Sequence, residues 1–407
     1  MIEKFNQEKQ RMMIQHDKIG YGISETVSKK KKEVQLPKNL VCFSHLRWDF
    51  VFQRPQHLLT RFCQHFTIHF IEEPIFDADS PYLSFTQKLA NLTIVVPHLV
   101  PGMSEDQVVK AQATLLDKFL AEKDLTDYAF WYYTPMALTF SHHYVPAMTL
   151  YDCMDELSAF KFAPTQLQIL EKELLKRSDI VFTGGHSLYK AKKDKHHTIY
   201  PFPSSIDKVH FSKARGQVSE PWDQVAIPHP RMGFYGVIDE RFDIDLIEQV
   251  ARKRPEWQMV MIGPVVKIDP ASLPRLDNIH YLGGKGYEEL PEYLAGWDIA
   301  LVPFQLNEST RFISPTKTPE YLSAGIPVIS TPIQDVINPY GEEGLVHIVK
   351  DSDEFIAAAE EILFSSSMDK DNWLKKVDCF LAENSWDATV ESMISRIREC
   401  FGKKGPY

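Results

Sequence analysis

Arg231–Pro264 reads RMGFYGVIDERFDIDLIEQVARKRPEWQMVMIGP. The apolar run RMGFYGVI, the amphipathic stretch DIDLIEQVARKRP and the second apolar run QMVMIGP form the pattern of two buried strands around one helix. Strands joined through a crossover helix lie parallel, so this stretch predicts a βαβ unit. The same alternation continues downstream in IHYLGG, YEELPEYLAGWD, IALVPF, PTKTPEYLSAG, IPVIST, LVHIV and DEFIAAAEEILFS. It also appears upstream, in NLVCFSH, QHLLTRFCQHF, TIHFIEE, LTIVVP, YAFWYY, MTLYDCMD, APTQLQILEKELLKRSDI and IVFTG. The expectation is therefore an α/β chain with two Rossmann-like, doubly wound parallel-sheet domains facing across a cleft.

The boundaries follow from composition. Residues 1–38 are polar, lack sustained periodicity and carry Lys29-Lys30-Lys31-Lys32, the character of a flexible basic extension. Such a run suits contact with an anionic membrane, each Lys contributing about 1 kcal/mol near the surface. The N-terminal domain is expected over 39–205 and the C-terminal domain over 231–384. Between them 206–230 is a connector, rich in Pro and polar residues toward its end. Residues 385–407 form a last helix after the break at Asn384-Ser385, expected to pack back on the N-terminal domain.

Bulk properties exclude several classes of function. A length of 407 residues suits two cores, and 44% hydrophobic with 25% charged residues is the balance of a globular protein. No apolar run approaches the roughly 18–20 residues of a spanning helix. A net charge of -10 argues against nucleic acid, whose backbone is gripped by clustered Lys and Arg. Five cysteines without a CxxC pair read as reduced thiols, and no signal peptide is evident at Met1, so the expected location is cytoplasmic, with a peripheral place at the inner face of the cytoplasmic membrane. The pairs His142-His143 and His196-His197 lack partners at ligand spacing, so neither a metal nor another cofactor is expected.

Ligands of open parallel sheets bind beyond the carboxyl ends of the strands. In the C-terminal domain those positions are Gly236, Gly263-Pro264, Gly283 to Gly286, Pro303-Phe304 and the Ser314 to Glu320 loop. Glycines allow close approach of a ligand to backbone, Lys317 offsets anionic charge, and Glu320 accepts from vicinal hydroxyls. A diphosphate joined to a ribose requires that combination. In the N-terminal domain, Asp152, Asp155 and Glu156 follow the strand AMTLY, and Gly184, Gly185 and His186 follow IVFT.

With these residues in view, YLGGKGYEELPEYLAGWDIALVPF followed by SPTKTPEYLSAGIPVIST resembles the donor half of the GT-B glycosyltransferases, in particular the family 1/4-like bacterial branch that builds cell-surface polysaccharide. FSHLRWDFVFQRPQHLLTRF resembles the opening segment of the same group. The resemblance implies a nucleotide-sugar donor, with Leu282, Gly283 and Tyr287 near the base, Ser314, Thr316 and Lys317 near the diphosphate, and Glu320 at the ribose. Gly236, Gly263, Pro303 and Pro315 complete the expected donor set. His45, Arg47, Trp48 and Arg54, with Gly185 and His186, are the expected acceptor or phosphate contacts. His57, inside an apolar helix pattern, reads as structural.

Many retaining members carry two Glu with seven residues between them, and the position that would precede Glu320 is Phe312. An inverting transfer needs a carboxylate to take the acceptor proton; Asp155, Asp152 and Glu156 are the expected catalytic residues, with Asp155 as the base and Asp152 orienting it or capping the next helix. Leaving-group charge falls to Lys317 and backbone N–H dipoles, because no DxD pattern stands next to a donor-half strand; Asp243-Ile244-Asp245 reads as a helix cap. The expected reaction is transfer of a sugar, most simply from a UDP-sugar, to a carbohydrate or lipid-linked acceptor. The alternatives are a nucleotide-sugar 2-epimerase of the same fold and a non-catalytic sugar-nucleotide or glycan-binding partner.

Overall fold

A computed structural model describes residues 34–161 and 163–404, and the elements below all belong to one compact unit, Leu36–Tyr407. The basic run at Lys29 to Lys32 lies outside the described residues. Two sheets organise the unit. The first contains β1 (Asn39–Phe43), β2 (Thr67–Ile71), β3 (Ile75–Phe76), β4 (Tyr82–Leu89), β5 (Leu92–Leu99), β6 (Tyr128–Tyr132), β7 (Met148–Cys153), β8 (Ile180–Thr183) and β9 (Ile199–Pro201). Its order is β3-β5-β2-β1-β6-β7-β8-β9, with β4 antiparallel on β5 and the other pairings parallel. The second contains β10 (Arg231–Tyr235), β11 (Gln258–Ile262), β12 (Ile279–Gly283), β13 (Ile299–Val302), β14 (Val328–Ser330) and β15 (Val346–Ile348), in the order β12-β11-β10-β13-β14-β15 and parallel throughout.

The strand order of each sheet reverses beside its first strand, which is the doubly wound arrangement and leaves a crevice at the carboxyl ends. The two sheets with their helices form the GT-B fold. Central strands read as continuous apolar runs because both faces are covered: all residues of β6, β10, β11 and β13 are buried. β4 carries no such run; YLSFTQKL is exposed over much of its length, and its polar alternation hid it from the periodicity analysis.

Caps fix the helix starts. Asp243 accepts from Leu246 N at 3.0 Å and caps Ile244–Lys253, as its sequence position suggested. Asp351 caps Ser352–Phe364, and Ser385 accepts from Ala388 N at 3.1 Å to start the last helix, Trp386–Lys403. Trp386, Val390, Met393, Ile394 and Ile397 of that helix join Leu40, Leu58, Phe62 and Trp131 in the first-domain core. His57 stacks on Trp386 at 4.7 Å and 10°, and burial, with Arg61 and His210 adding to it, lowers its pKa to about 3. The helix Trp386–Lys403 thus packs back on the first domain, and Arg61 pairs with Asp387 at 2.8 Å on the rim.

The connector is pinned to the second domain. Gln224 is fully buried and accepts from Trp297 Nε1 at 2.8 Å, while Asp223 meets Lys285 at 2.6 Å and Tyr293 at 2.8 Å. Among the described residues no helix is long and apolar enough to cross a membrane.

Candidate active site

A cavity of about 600 Å³ lies between the carboxyl ends of the two sheets. The second domain supplies Tyr235, Gly236, Arg241, Gly263, Tyr287, Phe304, Ser314 to Lys317 and Glu320; the first supplies Trp48, Phe52, Arg54, Asp155 and Gly184. Contacts across the cleft fix this juxtaposition. Ser204 Oγ donates to Ser314 O at 2.8 Å, Ser187 N donates to Asp335 Oδ1 at 2.9 Å, and Phe52 stacks on Tyr287 at 4.5 Å.

Two glycines open the second-domain wall. Gly236 has φ +138°, and a Cβ there would sit 2.3 Å from Lys317 Cε. Gly263 has φ +143°, and a Cβ would meet Gly236 O at 1.9 Å. Only glycine allows both the backbone conformation and the close approach of these strand ends.

Lys317 opens the helix Lys317–Ser323 and points into this space. Its ammonium has no hydrogen bond or ion pair among the described residues, resting 5.6 Å from the Phe234 ring centre and 5.8 Å from that of Phe304. Burial holds its pKa down to about 8, with Glu320 opposing and Arg241 reinforcing the shift. Glu320, 4% exposed, accepts from Tyr235 Oη, and burial pushes its pKa up to about 7 against that hydrogen bond and Lys317. A desolvated, unpaired cation beside a carboxyl whose ionisation burial disfavours is an incomplete charge arrangement; an anion completes it.

Arg241, which the sequence reading did not single out, is the second cation of the wall. Asp239 holds it through Nε at 3.0 and 3.1 Å and Nη2 at 2.6 Å, and it lies 5.2 Å from the Phe160 ring centre across the cleft. The signal was its position in the loop after β10, five residues beyond the Gly236 that was read. Leu290 likewise lines the cavity, and the strand-end positions Gly284 and Phe304 lie on it as expected.

The donor expectations divide accordingly. Gly236, Gly263, Tyr287, Ser314, Pro315, Thr316, Lys317 and Glu320 come together on the wall. Leu282, Gly283 and Pro303 are not among the lining residues, where their neighbours Gly284 and Phe304 stand.

The first-domain expectations need more correction. Asp155 is half-buried on the wall, and burial pushes its pKa up to about 6 against Arg241 and Arg54. Asp152 is 0% exposed and spends both oxygens on Arg54, at 2.9 and 3.1 Å. Arg54 Nη1 donates to Phe202 O at 2.6 Å, so this guanidinium borders the cavity with its hydrogen bonds already made. Glu156 turns away to Lys192 at 2.8 Å. Asp152 and Glu156 therefore stand beside the candidate base without facing the cavity. Trp48 reaches the wall, whereas Arg47 pairs with Glu72 at 3.0 Å, and His45, Gly185 and His186 lie off the lining. A Cβ on Gly185 would meet Asp335 Oδ2 at 2.1 Å, so a second-domain carboxylate occupies the place expected for a sugar phosphate. Among the described residues no group of three or more His, Cys, Asp or Glu is placed to hold a metal ion.

Comparisons with known proteins agree with this geometry. Residues 230–365, which carry Lys317, match the family model "Glycosyl transferases group 1". The putative teichuronic acid biosynthesis glycosyltransferase TuaH of Bacillus subtilis (strain 168) is 26% identical over 256 residues, 57% of this chain and 63% of the relative. The match thus spans less than two thirds of that relative's length. A trehalose-6-phosphate structure from E. coli bound with UDP-2-fluoro glucose superposes with a TM-score of 0.67 at 13% identity, covering 89% of this chain and 99% of that one. Sucrose-phosphate synthase from Thermosynechococcus elongatus superposes with a TM-score of 0.66 at 14% identity, covering 90% and 100%.

Proposed function

We propose that this chain, whose residues 230–365 match the family model "Glycosyl transferases group 1", is a glycosyltransferase that moves a sugar from a UDP-sugar to a glycan or lipid-linked glycan acceptor in cell-surface glycan synthesis. The observation that carries the reading is the unpaired, desolvated Lys317 ammonium facing the same cavity as Arg241, Glu320 and Asp155. The UDP-2-fluoro glucose held by the E. coli structure supports the donor class, and the teichuronic acid description of the Bacillus relative supports the acceptor class.

In this reading the diphosphate lies against Gly236 and Gly263, where its charge meets Lys317 and Arg241 in a low-dielectric site. Glu320 accepts from the ribose hydroxyls. The acceptor hydroxyl enters from the first-domain side and attacks the anomeric carbon as its bond to the diphosphate oxygen breaks. UDP leaves with the bonding pair, and Asp155 takes the acceptor proton. A pKa near 6 leaves Asp155 ionised at neutral pH and still basic enough for that transfer.

Thermal shift with UDP, GDP, dTDP, ADP and CMP tests the donor site, since a ligand at 100 times its Kd stabilises by about 2.7 kcal/mol. A shift with UDP that disappears in Lys317→Met and shrinks in Glu320→Gln is the expected result. No shift with any nucleoside diphosphate would sink the donor site. With a donor and acceptor in hand, NMR of the product reads the anomeric centre. Inversion agrees with a single displacement using Asp155 as base; retention would remove Asp155 from that role.

A further inference from the structure

Asp155 sits in a short loop whose two ends are both held by buried charge. At the near end, Asp152 is locked to Arg54 of the helix Arg54–Phe62. At the far end, Glu156 Oε2 lies 2.8 Å from Lys192 Nζ, and Glu156 Oε1 accepts from Ser158 Oγ at 2.8 Å. The Lys192 side chain is 0% exposed at the end of the helix His186–Lys192. It also meets Glu171 Oε1 at 2.6 Å, which in turn accepts from Tyr151 Oη at 2.9 Å. Burial works to raise the Glu156 pKa, and Lys192 outweighs it, keeping the carboxyl below its ordinary range. Buried ion pairs of this kind are weak sources of stability compared with well-packed apolar side chains, so their geometric consequence is the informative part.

We propose that the Lys192–Glu156 pair is a brace for Asp155, making Glu156 and Lys192 positioning residues that hold the Asp155 carboxylate at the cavity wall. The brace rests on the reading of Asp155 as the group that works there. It replaces the sequence expectation of a direct role for Glu156: the residue acts through its neighbour. Two helices, Arg54–Phe62 and His186–Lys192, converge on the five-residue span from Asp152 to Glu156, and of the three carboxylates in that span Asp155 is the one on the cavity lining. Without the brace, the loop relaxes and Asp155 gains water.

The test reads that relaxation through protonation. Asp155 is faced by Arg241, Asp239 and Lys317 from the second domain, by Arg54 from the first helix and by Asp152 from its own strand. Its folded pKa lies above its value in the unfolded chain. The folded state therefore holds the proton more tightly, and ionisation costs stability as pH rises from about 4 through about 6. Asp155→Asn removes that cost, so its gain in Tm over the natural chain is expected to grow by several degrees between about pH 4.5 and pH 8. In a Glu156→Ala background the pH-dependent gain is expected to fall by half or more, and Glu156→Gln, which keeps hydrogen bonds to Lys192 and Ser158, restores it. A merely structural Glu156 would lower Tm in both backgrounds and leave the gain unchanged; that result overturns the brace, as does the absence of any gain in the natural background. The UDP-induced shift measured on the same samples is independent: its absence from the natural chain counts against the donor site, and its persistence in Glu156→Ala shows that the variant is folded.

Discussion

The two faces of the cleft handle charge in opposite ways. On the first-domain face, Arg54 is closed on Asp152, Arg47 on Glu72, and Lys192 on Glu156 and Glu171. On the second-domain face Lys317 has no ion-pair partner among the described residues, and Arg241 keeps one edge free of its bonds to Asp239. Charges that are paired hold a backbone in place, while charges left open are available to a ligand. The contrast divides the labour between a braced first-domain loop that presents Asp155 and a second-domain wall that receives an anion.

The sharpest way to break the contrast is to open a closed pair. Arg54→Met leaves Asp152 buried and unpaired, and removing one partner of such a pair costs about 3–5 kcal/mol. Denaturant unfolding should show that loss. A cost near zero would mean that Asp152 simply takes up a proton and that the pair holds nothing.

Lys317→Met attacks the open side and should do the reverse. Because the folded pKa of Lys317 is depressed, carrying its charge costs stability below about pH 8, and the variant is expected to be more stable than the natural chain at pH 7. The same change should weaken UDP binding about 10- to 100-fold, the worth of one or two charge-assisted hydrogen bonds. Stability and binding moving in opposite directions is the mark of a ligand site; a joint loss would make Lys317 a structural residue. Titration gives a milder version. UDP binding needs the ammonium, so its Kd, measured by calorimetry, should rise as pH climbs through about 8 toward 10, with proton uptake on binding over that range. A flat profile would exclude Lys317 from the anion.

This contrast also explains what was legible in the sequence. Parallel strands with both faces covered are apolar runs, so β1, β6, β10 and β11 could be read directly. β4, exposed and antiparallel at a sheet edge, carries no such signature. On the second-domain wall, the glycines and the Ser314 to Glu320 loop advertise themselves because their side chains or their lack of one face the ligand space. Arg241 escaped because its one mark, a place in the loop after β10, is shared with Asp239 and Glu240. The first-domain face misled for a different reason: Asp152, Asp155 and Glu156 look equivalent in sequence. Which of them faces the cavity is decided by Arg54, 98 residues upstream of Asp152, and by Lys192 from a later helix. Pairing over such separations leaves no periodicity to read.

One contact crosses from face to face and sharpens the comparison least in energy but most in geometry. Asp335 of the second domain reaches the start of the first-domain helix His186–Lys192, where Oδ1 accepts from Ser187 N at 2.9 Å and Oδ2 is buried without a hydrogen-bond partner among the described residues. Burial raises its pKa, and the Ser187 contacts work against that rise. Asp335→Asn keeps the acceptor and removes the charge, so it is expected to change stability by no more than about 1 kcal/mol, the scale of a single neutral hydrogen bond. Because the folded pKa is raised, ionised Asp335 weighs on stability above the acid range, and the small effect of the amide should be a gain at pH 8 that shrinks toward pH 4. Asp335→Ala removes the acceptor as well and should loosen the closed cleft, visible as a larger radius of gyration in solution scattering without UDP and a return toward the natural value when UDP bridges the two walls. A radius that ignores both the substitution and UDP would show that the other cross-cleft contacts, Ser204 on Ser314 and Phe52 on Tyr287, hold the two domains together without Asp335.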